Sequence, residues 1–267
     1  TKQNQGKIMA NFKRGRGDNM GVAGNLNDNA DITSPVRSFW PNDYGLYNMA
    51  GNVADNISSL GIDCDLITNE SQITKTRYVE SKSNQMIVRI DENDTIPEND
   101  NFNLFKNSIR IEDYDALVIS DYDKGFLSSS NIEYLLSQNI PSFLQTNKKI
   151  DTWAEGALFI KINELEYEKS KSYVDSPDSL KDTNLIVTLG GNGCVYRDKV
   201  YEINDKIEIR DVSGAGDTFL AGLLSEYLTS KEVDKSIKYA QKLSTIVVQK
   251  KGINIVGEAK SKVRKIK

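Results

Sequence analysis

Four short apolar runs recur through the middle of the chain: DALVISD (115–121), PSFLQ (141–145), ALFIKI (157–162) and LIVTL (185–189). Each has the length of a strand buried on both faces. Between the first two, Ile132, Leu135 and Leu136 repeat at helical spacing after the cap region Ser128-Ser129-Ser130. Further on, Phe219, Leu220, Leu223, Leu224, Tyr227 and Leu228 make the buried stripe of one helix. Val233, Ile237, Ala240, Ser244 and Val247 line a last one. Strands and helices in this rhythm connect by right-handed crossovers. The expected fold is therefore α/β, a mostly parallel central sheet with helices on both faces. Ligands in such sheets bind beyond the carboxyl ends of the strands, so the segments following each strand are where function is sought.

Two other regions carry pattern. Val53, Ile57 and Leu60 form a helical stripe that stops at Gly61, a fitting C-cap. ITKTRYVESKSNQMIVRIDE (73–92) reads as a hairpin, two β-rich arms about the turn Ser81-Lys82-Ser83-Asn84. One face of it carries Lys75, Arg77 and Arg89. Residues 1–33 are rich in Asn, Gly and charge and are expected to be loop-rich. NMGVAGNLNDN (19–29) and YNMAGNVADN (47–56) echo each other once, too little for a repeat. The expectation is a single domain over 1–267, with an atypical segment at 1–33 and a small β lid at 73–92.

Composition removes several classes of function. The chain has 267 residues, enough for a full core without staples. Its formal net charge is -4, which does not suggest a nucleic-acid partner. No apolar run reaches the length of a membrane span and no signal peptide is visible. Cys64 and Cys194 are far apart and show no metal or redox spacing, so a reducing cytoplasm is the expected setting. There is no histidine. A Ser-His-Asp triad, a histidine base and a histidine-ligated zinc are all excluded.

The chemistry must then rest on carboxylates, lysines, backbone groups and a hard metal ion. DVSGAGDTFLAGL (211–223) sets Gly214, Ala215 and Gly216 at the start of a helix, directly before Asp217. Unpaired N–H groups and small side chains there admit an anion. The plainer reading of Asp217 is a capping residue. Three further stretches follow strands: SDYDKGFL (120–127), INELE (162–166) and TLGGNGCVY (188–196). The last is either a hairpin turn or a backbone-rich wall of the same crevice.

These stretches resemble the PfkB/ribokinase family of carbohydrate kinases. DVSGAGDTFLAGL matches that family's C-terminal signature, MAGNVADNISSLG (49–61) is similar to its N-terminal glycine-asparagine signature, and INELE carries its N-x-x-E motif. TLGGNG looks like its nucleotide-side turn. More narrowly, ITKTRYV…NQMIVRID and VISDYDKGFL resemble the branch that phosphorylates D-glycero-D-manno-heptose 7-phosphate to the 1,7-bisphosphate, using ATP and Mg²⁺.

The resemblance implies a ribokinase-like fold and a role for each matching residue. Asp217 would be the base toward the sugar hydroxyl, with the N–H groups of Gly214, Ala215 and Gly216 as anion hole. Asn163, Thr188, Gly190, Gly191 and Gly193 would face the nucleotide, and Glu166 would organise Mg²⁺ through water. Gly51, Asn52 and Asp121 would lie on the substrate side near the sugar, and Lys75, Arg77, Arg89 and Lys124 would hold a sugar phosphate. Plainer alternatives stand beside these: a helix N-cap for Asn52, an exposed charge for Glu166, a solubilised lid for the hairpin cations. In the family such a lid often pairs with a second subunit, which implies a homodimer. Other outcomes are a kinase for another sugar or nucleoside, or a nucleotide-binding relative with weakened catalysis. The chain departs from the family where Gly17-Asp18 follows NFKRGR in place of an apolar strand. Gln145 stands where related chains tend to have Asp, and Gln241 replaces a common Asn.

Overall fold

The computed structural model describes residues 50–67, 74–79, 86–92, 102, 110–203, 207–250, 255–257 and 262–263. The segment 1–33 and the hairpin turn 81–84 lie outside them. In chain order the elements are α1 (Ala50–Ser59), β1 (Asp65–Leu66), β2 (Thr74–Val79), β3 (Met86–Glu92), β4 (Leu117–Asp121), α2 (Ser129–Leu136), β5 (Ser142–Thr146), β6 (Phe159–Asn163), α3 (Glu164–Val174), β7 (Asn184–Thr188), β8 (Cys194–Tyr196), β9 (Lys199–Tyr201), α4 (Ala215–Ser230), α5 (Val233–Val248) and β10 (Lys262–Val263). The chain divides into two compact units, Thr1–Asn48 with Ser71–Asp94, and Met49–Glu70 with Thr95–Lys267.

The second unit is built on a six-stranded sheet of order β4-β5-β6-β7-β8-β9. The four apolar runs supply β4 to β7, which pair in parallel. β8 and β9 continue antiparallel, so the TLGGNG stretch does make a tight reversal from β7 into β8. Successive residues of each parallel strand feed opposite cores. Phe143, Phe159 and Ile186 pack with Val53 and Ile57 of α1, Phe219, Leu220 and Leu223 of α4, and Ile237 of α5. Leu144, Ile160 and Ile162 pack on the other side with Ile132, Leu135 and Leu136 of α2 and with Trp153. Phe143 and Phe159 stack at 5.0 Å between centroids, with Tyr227 edge-on to both. Both faces of the sheet are therefore covered, as parallel pairing requires.

Local signals account for the helix ends. Ser128 caps α2 by accepting from the Asn131 N–H at 3.1 Å. α3 is a helix that the apolar pattern does not announce, because among its residues only Glu166 and Ser170 are buried. Among the described residues, no helix is long and apolar enough to cross a membrane.

In the other unit β2 and β3 form the expected antiparallel hairpin, with an irregularity between Tyr78 and Val79. Its register sets Arg77 opposite Arg89 and Lys75 opposite Asp91.

Candidate active site

The sheet face beneath α4 changes character along the strands. Phe143 and Phe159 lie side by side on it, and one step of two residues further on the cross-strand row reads Ser120, Gln145, Lys161. Polar residues inside strands covered on both faces need partners, since an unpaired buried polar group costs about 1–3 kcal/mol. The partner of Lys161 is Gln145, and the partner of Gln145 comes from the start of α4. Gly214 is its N-cap, with φ 82°, a left-handed conformation that glycine adopts without steric cost. Thr218 N–H donates to Gly214 O at 2.9 Å, which closes the first helical turn. The Ala215 N–H is directed to Val212 O at 3.2 Å, and Ser213 N–H to Asp211 Oδ1 at 2.8 Å. Of the three N–H groups expected to meet an anion, Ala215's is thus engaged in a turn.

Asp217 follows in the same turn and is buried, at 3% exposure. Its Oδ2 accepts from Asn52 Nδ2 at 2.8 Å. Its Oδ1 accepts from Tyr122 Oη at 2.5 Å and from Gln145 Nε2 at 3.1 Å. A cap bonds its own helix end, whereas this carboxylate gathers donors from α1, the segment after β4, and β5. Asn52 is inside α1 and is no N-cap; it is itself held by Asn56, whose Nδ2 donates to Asn52 O at 2.8 Å. Asn56 is fully buried and its Oδ1 accepts from Thr218 Oγ1 and Val256 N–H, both at 3.3 Å. Burial, then the neighbouring Asp217 carboxylate, raises the Tyr122 phenol well above its ordinary range. Tyr122 therefore stays protonated and always donates. Tyr122→Phe is expected to keep the fold and lower turnover about tenfold, the worth of a hydrogen bond to a charged group at about 1.5 kcal/mol. Steady-state kinetics would show it, and unchanged turnover would reduce the tyrosine to packing.

Asp121 fastens the segment that carries Tyr122. Its Oδ2 accepts from Thr146 Oγ1 at 2.9 Å and lies 3.4 Å from Lys148 Nζ, and its Oδ1 accepts from the Asp123 N–H at 3.2 Å. Lys148 also pairs with Asp123. Burial alone would lower the Lys148 ammonium, but its contacts with Asp123 and Asp121 outweigh this and raise it. Lys124 lies in the bend after β4.

Asn163 and Glu166 form a reciprocal cap on α3. Glu166 N–H donates to Asn163 Oδ1 at 2.9 Å, Asn163 N–H to Glu166 Oε2 at 2.7 Å, and Asn163 Nδ2 to Glu166 Oε1 at 2.9 Å. The N-x-x-E spacing is thus the spacing of a capping box, and Glu166 is buried, not exposed. Thr188 ends β7 and donates from Oγ1 to Ile162 O at 3.2 Å. Beyond it, Gly190 and Gly191 are exposed, while Gly193 is buried.

Tyr122, Gln145, Lys161 and Asn56 take part in this site without having been assigned to it from sequence. The available signal was a lysine and a glutamine inside FIKI and FLQT, runs otherwise read as buried strand. Gly51 is in the first turn of α1 beside Asn52. Lys75, Arg77 and Arg89 lie on the hairpin, in the other compact unit.

Residues 47–259 match the sequence model of the pfkB family carbohydrate kinases. The chain belongs to this family. The match begins two residues before the compact unit that starts at Met49, and it takes in α1, whose Asn52 bonds Asp217. Residues 2–86 also match the sulfatase-modifying factor enzyme 1-like domain, overlapping the kinase match. Among curated proteins, a ribokinase of Dictyostelium discoideum is 39% identical over 77 residues, covering 26% of this chain and 24% of that protein. The bifunctional protein HldE of Bradyrhizobium diazoefficiens is 29% identical over 125 residues, 40% of this chain and 25% of that one. The chain thus spans about a quarter of the length of these relatives. The fold is shared with a nucleoside kinase of Methanocaldococcus jannaschii at TM-score 0.57 and 17% identity, covering 80% of this chain and 83% of the other. It is also shared with the ribokinase of Thermotoga maritima at TM-score 0.56 and 16% identity, covering 78% and 83%. The fold is ribokinase-like.

Proposed function

We propose that the protein transfers the terminal phosphoryl group of ATP to a sugar hydroxyl, and that the acceptor is D-glycero-D-manno-heptose 7-phosphate, giving the 1,7-bisphosphate. The observation that carries this reading is the buried Asp217, held by three donors in the first turn of a glycine-started helix. The acceptor oxygen forms its bond to phosphorus while the bond to the ADP oxygen breaks, and the acceptor proton passes to Asp217. A positioned carboxylate suffices because the reaction depends mainly on alignment and charge stabilisation. Gly214 and Gly216 offer small-residue backbone at the positive end of α4 to the transferred group.

Among the described residues no three His, Cys, Asp or Glu side chains group to hold a metal ion. Both Glu166 oxygens already accept from Asn163. That donor set fits Mg²⁺ carried mainly by nucleotide phosphates and water, with Glu166 reaching it through water. Bound there, the ion would neutralise phosphate charge. Asn163, Thr188, Gly190 and Gly191 are assigned to the nucleotide side. The two cysteines are free, which suits a cytoplasmic setting.

The choice of a sugar phosphate is supported by the resemblance of the hairpin and SDYDKG stretches to the heptose branch, and by the partial HldE match. The register adds a physical reason. Arg77 and Arg89 are register partners, so the hairpin brings two cationic positions together. Lys75, by contrast, has Asp91 as its cross-strand neighbour. The hairpin then serves as a lid, and a two-stranded element needs a surface to pack on, which a second copy of the chain would supply. An ADP-release screen over sugars and sugar phosphates tests the assignment, with heptose 7-phosphate expected to give the highest kcat/KM. Arg77→Ala or Arg89→Ala is expected to raise KM for the sugar phosphate by about 1.5–3 kcal/mol, roughly 10- to 150-fold, and hardly at all for its unphosphorylated analogue. Equal effects on both would make the arginines structural.

A further inference from the structure

We infer that Lys161 is a catalytic residue of this site, its ammonium taking up charge on the transferred phosphoryl group, and that Gln145 is a positioning residue that holds the ammonium apart from Asp217. The inference rests on the phosphoryl-transfer reading of the site.

Lys161 lies within β6 and is 5% exposed, in a strand buried on both faces. A charge in such a place costs several kcal/mol unless it is paired. A structural lysine would show a carboxylate partner, yet among the described residues Lys161 makes no ion pair. Its Nζ donates instead to a neutral amide, Gln145 Oε1, at 3.0 Å. The same amide donates from Nε2 to Asp217 Oδ1 at 3.1 Å. This is the one orientation of the glutamine that satisfies both neighbours. Direct contact between Lys161 and Asp217 would leave an inert ion pair, and the interposed amide prevents it. A carboxylate at position 145 would instead pair with the lysine.

The ammonium also sits where a cation is least expected. A Cβ added to Gly216 would come within 2.7 Å of Lys161 Nζ. The lysine therefore ends against the first turn of α4, whose helix end is already positive. Two positive ends converge there, and an anion stabilises both. Burial lowers the Lys161 ammonium, with Asp217 and then Glu166 opposing that shift. The acceptor proton goes to Asp217.

The test compares binding of ADP with that of a non-hydrolysable ATP analogue in Lys161→Met, alongside turnover and thermal stability. A cation that meets the terminal phosphoryl group should lose at least tenfold in affinity for the analogue and little for ADP. Turnover should fall roughly 100-fold or more, the scale of removing one preorganised charge-stabilising group. Lys161→Gln keeps a donor for Gln145 and carries no charge, and it supplies the same readings if the methionine variant does not fold. Equal changes for ADP and the analogue, or unchanged turnover, would overturn the inference. Asp217→Asn measured in parallel separates the two claims. Loss of turnover there, with Lys161→Met unaffected, sinks the lysine alone, whereas no loss in either variant sinks phosphoryl transfer at this site. The two affinities decide about Lys161 even if no acceptor tried is phosphorylated.

Discussion

Asp217→Asn is expected to lower turnover by at least two orders of magnitude while nucleotide affinity stays within a few-fold. The lower bound is the usual worth of a positioned general base, about 2.7 kcal/mol of transition-state stabilisation. The hydrogen bonding suggests a larger loss. The carboxylate accepts on both oxygens, from Asn52 on one and from Tyr122 and Gln145 on the other. An amide accepts on one side only. With its oxygen toward Tyr122 and Gln145, its NH₂ meets the Asn52 NH₂, and Asn52 must turn its amide over. That turn disturbs the contact of Asn52 Oδ1 with Asn56 Nδ2, at 3.3 Å. The variant thus loses the proton acceptor and also loosens α1 against α4. Coupled ADP release and calorimetric titration with nucleotide measure the two parts separately. Turnover near that of the unaltered protein would remove Asp217 from the mechanism.

Sequence and structure agree where chain-local patterns decide the structure. The runs at 115–121, 141–145, 157–162 and 185–189 became β4 to β7 with end shifts of one or two residues. The stripe from Phe219 to Leu224 is buried as periodicity requires. The candidate site was legible at Asp217 because its glycines, carboxylate and helix are contiguous in the chain. It was not legible at Lys161 and Gln145, whose meaning comes from strand register. Gln145 pairs with Lys161 across β5 and β6, and no feature of FLQT or FIKI alone states that they are neighbours. Asn56 has no local signal for a similar reason: it closes a contact to Thr218 across 162 positions of sequence. α3 was missed because its buried residues are Glu166 and Ser170, which leave no apolar stripe. The N-x-x-E pair shows the opposite difficulty, since the spacing of the family motif is also that of a helix capping box.

At the row Ser120, Gln145, Lys161 the sheet face turns from apolar to polar. Below it the face is aromatic and packed, with Phe143 against Phe159. Above it lie Asp217 and the start of α4. The polar row is thus anchored by a rigid core on one side and can hold charges in fixed places on the other. Such preorganisation is what electrostatic stabilisation of a transition state requires.

The TLGGNG turn carries the second large effect, and its glycines should separate by role. Gly193→Ala is expected to destabilise the protein by about 3–5 kcal/mol, combining a backbone conformation open essentially to glycine with overpacking. Gly193 has φ 93° and ψ -131°. A Cβ there would lie 1.9 Å from Tyr201 O and 2.9 Å from Gln241 Nε2. The carbonyl is backbone of β9 and cannot swing aside, and Gln241 already donates to it. The glycine is therefore needed to let β8 leave the turn beside β9. In Gly191→Ala the nearest neighbour of the new methyl is Ile209 Cδ1 at 4.0 Å, which is ordinary contact. That variant should melt within about a degree or two of the unaltered protein, as surface changes within ±0.5 kcal/mol do. Gly193→Ala should melt lower by roughly 10 °C, taking 2–4 °C per kcal/mol for a chain of this size. If the turn faces nucleotide, the methyl at position 191 should instead raise KM for ATP while KM for the sugar stays unchanged. Thermal denaturation of the two variants beside their ATP kinetics makes the comparison. Similar melting temperatures would show that the close approach at Gly193 relaxes, and unchanged ATP kinetics in Gly191→Ala would move the nucleotide away from this turn.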